Sequence, residues 1–331
     1  MAGRLRYVLD AEPGFTRRRS GRGFVYLDAR GRRLRSERVL ARIRALAIPP
    51  AYTDVWICAS PDGHIQATGR DARGRKQYRY HAAWRTQRDR SKFERTIAFG
   101  ERLPSLRRRI RRDLRERGMS RRRVLAALLR LLDRTRIRVG NEEYARTNRS
   151  FGLSTLRTRH VSVHGDEIRF AFRGKSGRMH EVAVEDPRVA RTLRRCRDLP
   201  GQLLFQYVDD GKPRKLTSSD INDYLRDAMG EEFTAKDFRT WSASVIVARE
   251  LFDPAADPPP SPREAVRIAA DELGNTPAVC QRSYVHPAVL DAAAEPAANR
   301  RIRGFFTRTT RARDGLDRHE RALLRYLRTR T

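Results

Sequence analysis

The spacing of hydrophobic positions changes character near residue 85. Before it, apolar residues come in short β-prone runs. Gly23-Phe24-Val25-Tyr26-Leu27 is closed by Asp28-Ala29-Arg30-Gly31. Val55-Trp56-Ile57-Cys58 and His64-Ile65-Gln66-Ala67-Thr68 flank Pro61-Asp62-Gly63, and an Asp-Gly between two such runs predicts a hairpin. After Trp84 the spacing becomes helical. Ser120 is placed to cap a helix with Val124, Leu128, Leu131 and Leu132 on one face. Helices are predicted over 141–149, 218–229, 236–251 and 264–273, the last stopped by Gly274. Between them, 159–185 reads as a meander, with runs at 160–163, 167–172 and 179–184 and turns at His164-Gly165-Asp166 and Gly174-Lys175-Ser176-Gly177. The Pro-rich stretch 253–263 reads as a loop. Residues 300–331 are Arg-rich, with one amphipathic segment carrying Leu316, Leu323, Leu324 and Leu327.

These patterns predict an α+β protein in two domains. A small β-rich N-terminal domain covers 1–85. A larger, mainly helical domain with a three-stranded meander and a basic C-terminal tail covers 86–331. A length of 331 residues suits two domains. Two basic modules on a flexible joint can close as a clamp around a duplex.

Charge identifies the partner class. Lys plus Arg number 72 against 40 Asp plus Glu, a net charge of +32. A compact chain this basic repels itself unless a polyanion neutralises it, which points to nucleic acid. No apolar run approaches the ~20 residues of a spanning helix, and residues 1–14 lack a secretory core. Three cysteines with no Cys-x-x-Cys argue against a disulfide framework or a structural zinc. The expectation is a cytoplasmic, nucleoid-associated protein that binds duplex DNA, not a membrane, and uses no metal or other cofactor.

Cleavage of a phosphodiester without metal needs a nucleophile, a proton donor for the leaving oxygen and cations around the non-bridging oxygens. The sequence has no Asp-x-Asp and no His-Glu-x-x-His, so Tyr, Lys and Arg become the candidates. Four segments stand out: Arg138 after the apolar helix, Lys175 on its Gly-flanked turn, Arg239 in Lys236-Asp237-Phe238-Arg239-Thr240-Trp241, and Gly274-Asn275-Thr276-Pro277 upstream of Tyr284. Taken singly, each is equally a surface cation, a solvated turn or one tyrosine among ten.

In order, the segments resemble the type IB DNA topoisomerases, in the compact form of poxviruses and some bacteria. Arg138 in IRVGNEEY, Lys175 in FRGKSG, Arg239 in KDFRTW and Tyr284 in QRSYVHP match that family's active-site Arg, Lys, Arg and Tyr. The stretch 69–81, with Arg70 and Gln77-Tyr78-Arg79-Tyr80, resembles its DNA-contacting segment. The resemblance covers roughly 20–290. One departure stands at Asn275, where the family pattern has His. Asn can donate a neutral hydrogen bond but carries no charge. Tyr144 matches a DNA-contacting position and reads as readily as a core tyrosine, and Lys236 is a further candidate contact.

The resemblance implies an ATP-independent monomer. Tyr284 attacks a backbone phosphorus to form a 3′-phosphotyrosyl bond, and a 5′-hydroxyl leaves. Arg138, Arg239 and Asn275 surround the phosphate. Lys175 protonates the leaving oxygen, since an ammonium loses its proton more readily than a guanidinium. Two alternatives share parts of the pattern: a tyrosine recombinase, and a non-enzymatic nucleoid protein.

Overall fold

The computed structural model describes residues 5–230 and 233–330. The chain divides into two compact units, one up to Lys92 and one from Phe93 on. The division falls within a helix, beyond the change of spacing at residue 85.

The first unit is a five-stranded antiparallel sheet in the order β2-β1-β3-β4-β5 with a helix on one face. It comprises β1 (Phe15–Ser20), β2 (Gly23–Leu27), α1 (Glu37–Ala45), β3 (Thr53–Ile57), β4 (Ile65–Arg70) and β5 (Lys76–Tyr80). Ile43 of α1 packs with Val55, Ile57 and Ala67 in one small core. Val8, Cys58 and Ile65 form another, with Trp56 against it. The runs around Pro61-Asp62-Gly63 pair as the predicted β3–β4 hairpin. Strands β1, FTRRRS, and β5, KQYRY, gave no hydrophobic signal because the sheet holds them by backbone pairing, not by apolar side chains.

Helix α2 (Ala82–Asp113) leads into the second unit, where Phe99, Leu103, Leu106 and Ile110 are buried at helical spacing. Next come α3 (Arg121–Thr135), α4 (Glu142–Asn148), the meander β6 (Val161–His164), β7 (Glu167–Arg173) and β8 (Met179–Glu185), and α5 (Pro187–Arg197). Strands β9 (Gln206–Asp209) and β10 (Lys212–Lys215) form a hairpin that the hydrophobic pattern missed, although Asp210-Gly211 at its turn is a hairpin signal. Then follow α6 (Ser218–Met229), α7 (Ala235–Phe252), α8 (Pro262–Leu273), α9 (Pro277–Ser283), α10 (Pro287–Ala294), α11 (Pro296–Arg308) and α12 (Arg318–Leu327). Among the described residues no helix is long and apolar enough to cross a membrane.

The segment read as a basic tail is a correction. Ile302, Phe306, Leu316, Leu323, Leu324, Tyr326 and Leu327 are buried in the main core. Trp241 donates its indole N–H to Glu320, and Arg107 joins Glu320 and Asp133 by paired hydrogen bonds of 2.7–2.9 Å. The arginines of α11 and α12 coat helices whose other face is core.

Candidate active site

Arg138 lies just beyond α3, whose last turn closes on Arg136 in the left-handed conformation (φ 58°). The backbone at 138–139 runs against 152–154. Leu153 N–H donates to Arg138 O at 2.8 Å and Ser154 N–H to Val139 O at 2.7 Å. The approach is close enough that a Cβ on Gly152 would stand 2.4 Å from Arg138 O, so this position requires glycine. With its backbone held, half-buried Arg138 turns Nη2 to Gly274 O, at 3.2 Å, and to Asn275 Oδ1.

Arg239 comes from the first turns of α7, which Thr234 caps. Its neighbours Phe238 and Trp241 enter the core and carry Arg239 in with them, to 4% exposure. Its Nη1 donates to Arg136 O at 2.6 Å and Nη2 to Leu273 O at 2.7 Å, tying the ends of α3 and α8 together. Its Nε is buried without a partner. The guanidinium carbon lies 5.2 Å from the centre of the Tyr284 ring. The same helix positions Tyr284 from behind: Ser244 Oγ donates to Tyr284 O at 3.3 Å and accepts from His286 N–H at 2.9 Å.

Asn275 follows Gly274, which is left-handed (φ 61°) and ends α8. Its N–H donates to Ala270 O at 2.8 Å. Its side chain is buried, Oδ1 is taken by Arg138, and Nδ2 has no partner. Arg138, Arg239, Asn275 and Tyr284 therefore meet, brought from four separate segments.

Two residues that the sequence reading missed complete this cluster. His180, on β8 opposite Phe172, stacks on that ring at 5.3 Å. A Cβ on Gly174 would stand 2.4 Å from the His180 ring, and one on Gly274 would stand 2.6 Å from it. The imidazole thus fills the space between the Lys175 turn and the Asn275 turn. Glycines at 174 and 274, in two distant motifs, were the available trace of this shared ring. Arg178 is the other, with Nη1 at 3.4 Å from Asn275 O.

The local charge is one-sided. Among the described residues no carboxylate contacts Arg138 or Arg239. Burial, reinforced by Arg239, pushes the Arg138 guanidinium down to about 10. Burial also lowers Arg239, against the raising effect of Tyr284. His180 is lowered by burial first and then by Arg138, Arg239 and Arg178, which keeps the ring neutral at neutral pH. Buried cations without counter-ions are costly, and an entering oxyanion relieves that cost. Two unpartnered donors, Arg239 Nε and Asn275 Nδ2, are the kind of groups that receive it.

The remaining predicted residues of this unit make no hydrogen bond or ion pair with these four. Lys175 is exposed in the turn between β7 and β8 and touches none of the four. Tyr144 is half-buried on α4, near enough for its phenol to act on the charge of Arg138. Lys236 is exposed in the first turn of α7.

In the first unit, alternation along β5 exposes Lys76, Tyr78 and Tyr80 on one face. The two tyrosine rings stack at 5.9 Å, and Lys76 Nζ lies 5.7 Å from the Tyr78 ring centre. Arg70 pairs with Lys76 across β4–β5, is exposed, and bonds Gly74 O and Asp54. Gln77 lies on the opposite face, its amide donating to Asp71 at 2.9 Å. The Gln-Tyr-x-Tyr group therefore divides into two exposed rings and one internally bonded amide.

Comparison with known proteins shows the family. Residues 81–299 match the catalytic core of eukaryotic DNA topoisomerase I, and residues 23–71 match the N-terminal domain of bacterial DNA topoisomerase IB. The chain is 33% identical over 285 residues to DNA topoisomerase 1B of Acanthamoeba polyphaga mimivirus, covering 82% of this chain and 85% of that one. It is 24% identical over 235 residues to DNA topoisomerase 1B of vaccinia virus (strain Copenhagen), covering 67% and 70%. Human DNA topoisomerase 1 is 29% identical over 175 residues, which cover 50% of this chain and 22% of the human protein. A core match over most of the chain, with a bacterial N-terminal match before it, shows that the chain belongs to the type IB DNA topoisomerases.

Proposed function

We propose that this topoisomerase relaxes supercoiled duplex DNA without ATP through a 3′-phosphotyrosyl link to Tyr284. The observation that carries the reading is the meeting of Tyr284 with Arg138 and Arg239, two cations with no carboxylate between them. The Tyr284 oxygen attacks the backbone phosphorus, and the P–O5′ bond breaks. Arg138, Arg239 Nε and Asn275 Nδ2 take the charge that grows on the non-bridging oxygens. Lys175 gives its proton to the leaving 5′ oxygen. Its exposed place in the β7–β8 turn leaves it free to reach a bound strand. Resealing reverses the steps, with the 5′-hydroxyl attacking the phosphotyrosyl bond. The bond energy is kept in that link, so no nucleotide is needed.

In this reading the stacked Tyr78 and Tyr80, with Arg70 and Lys76, lie on the DNA from the first unit. Tyr144 and Lys236 contact the backbone from the second unit. The enzyme acts as a monomer on the chromosome in the cytoplasm and uses no metal.

The test is relaxation of a supercoiled plasmid lacking any recombination site, in chelator and without ATP. Tyr284→Phe is expected to give no relaxation and no protein–DNA adduct after denaturant, with DNA affinity kept. Relaxation by that variant would overturn the assignment. Lys175→Ala is expected to be slow on ordinary DNA and restored on a strand whose leaving group is a 5′-thiolate, which needs no acid. Equal slowness on both strands removes Lys175 as the proton donor.

A further inference from the structure

The buried charges of this protein follow a rule with two exceptions. Each buried acid has an arginine: Asp113 has Arg109 and Arg112, Asp186 has Arg130 and Arg134, Asp237 has Arg95, Asp253 has Arg318, and Glu320 has Arg107. Among the described residues two arginines are buried, Arg239 at 4% exposure and Arg123 at 7%, and neither has an acid. Arg239 lies where the phosphate is expected. Arg123 lies elsewhere, in the first turn of α3, while Arg138 follows the last. The helical run of α3 from Arg123 to Thr135 alone separates the two by about 18 Å.

Arg123 lines a cavity of about 370 Å³ between the α2–α3 turn and α5. That volume is within the range of small-molecule sites, about 300–1,000 Å³. Arg115, Arg117, Arg188, Arg191 and Arg195 line it as well. All five are exposed, and none has an ion pair among the described residues, so Arg123 is the recessed member. The one acid in the lining, Glu116, is already engaged by Ser120 at 2.5 Å and Arg122 at 2.9 Å. Arg123 Nη1 holds the turn through Glu116 O and Gly118 O, and Nε bonds Thr192, which leaves Nη2 without a partner among the described residues. Those bonds explain why the side chain is there. They do not explain why its charge is surrounded by more guanidiniums, which together with burial lower its hold on a proton.

We propose that this cavity binds a compact polyphosphate, a chain of two or three phosphoryl groups either free or carried by a nucleoside, with Arg123 Nη2 deepest and the exposed arginines around it. Guanidiniums suit phosphoryl oxygens because each offers paired N–H donors. A duplex backbone fits less well: its phosphates lie on a convex cylinder, and Arg123 is recessed behind its neighbours.

The probe is inorganic tripolyphosphate, titrated calorimetrically into the full chain at constant ionic strength. One saturating site is expected. Arg188→Ala/Arg191→Ala removes two exposed arginines that hold nothing else. It should weaken that site by about 10-fold for each arginine removed and leave plasmid relaxation without the probe unchanged. An equal affinity for ATP assigns the site to the phosphoryl chain alone, and a tighter one assigns it to a nucleotide. Unchanged tripolyphosphate binding in the double variant overturns the proposal. So does a double variant that keeps the site but loses affinity for duplex DNA, since the arginines then serve DNA.

Discussion

At the scale of single residues, the candidate site is a balance of uncompensated charge. Arg138 and Arg239 are held by carbonyl oxygens, which fix direction without neutralising them. His180 adjusts to the same field. Its folded pKa is depressed by burial and by three arginines, while in the unfolded chain an imidazole titrates near ~6.5. The unfolded state therefore binds the proton first as pH falls. Stability contributed by a neutral His180 is present above ~6.5 and is lost below it, until the folded-state pKa is reached. Thermal unfolding at pH 7.5 and 5.5 should show a smaller acid loss for His180→Gln than for the wild type. An identical loss in both would place the acid sensitivity elsewhere, for instance on buried His64 or His160, which are lowered by burial too. Asn275 was legible only in part. Its identity departs from the family pattern, yet only the structure gives its oxygen to Arg138 and leaves its nitrogen open.

At the scale of elements, the site is made where segments end. Arg138 follows the end of α3, Asn275 the end of α8, and Tyr284 the end of α9, while α7 passes behind them with Arg239 and Ser244. Gly274 makes a tight junction, since a Cβ there would stand 2.6 Å from the His180 ring. Gly274→Ala must hold an L-residue at φ 61°, a strain of about 1–2 kcal/mol, and must also displace His180. The double variant Gly274→Ala/His180→Ala keeps the backbone strain and removes the clash. Urea unfolding should therefore show less than additive losses. Additive losses would mean that His180 does not set the turn. Helices α3, α6, α7 and α8 and the meander were legible because their apolar period is strong, whereas α1, α5, α9, α10 and α11 were not read from it. β1 and β5 were not, since a polar strand held by its neighbours carries no period of its own.

At the scale of the whole molecule, the C-terminal helices belong to the catalytic unit's core. Removing residues after Thr310 takes away Leu323, Tyr326 and Leu327, all at 0% exposure, and Glu320 with them. Each apolar side chain contributes about 1.5–3 kcal/mol, and the loss leaves the Trp241 indole and half of the Arg107 network unpaired. The shortened chain should lose cooperative unfolding by circular dichroism and become protease-sensitive. Unchanged unfolding with weaker DNA binding would restore the reading of this segment as a basic tail. The sequence by itself determined the polyanionic partner, through a charge of +32, and the kind of chemistry, through motifs in a fixed order. Both are sums or strings and survive without coordinates. Tertiary structure alone decided which side chains face one another: Tyr284 against Arg239, His180 between two glycines, Gln77 turned away from Tyr78 and Tyr80, and Arg123 without an acid. The physical reason is that a side chain's direction is set by register and by the packing of distant segments, neither of which a local pattern contains.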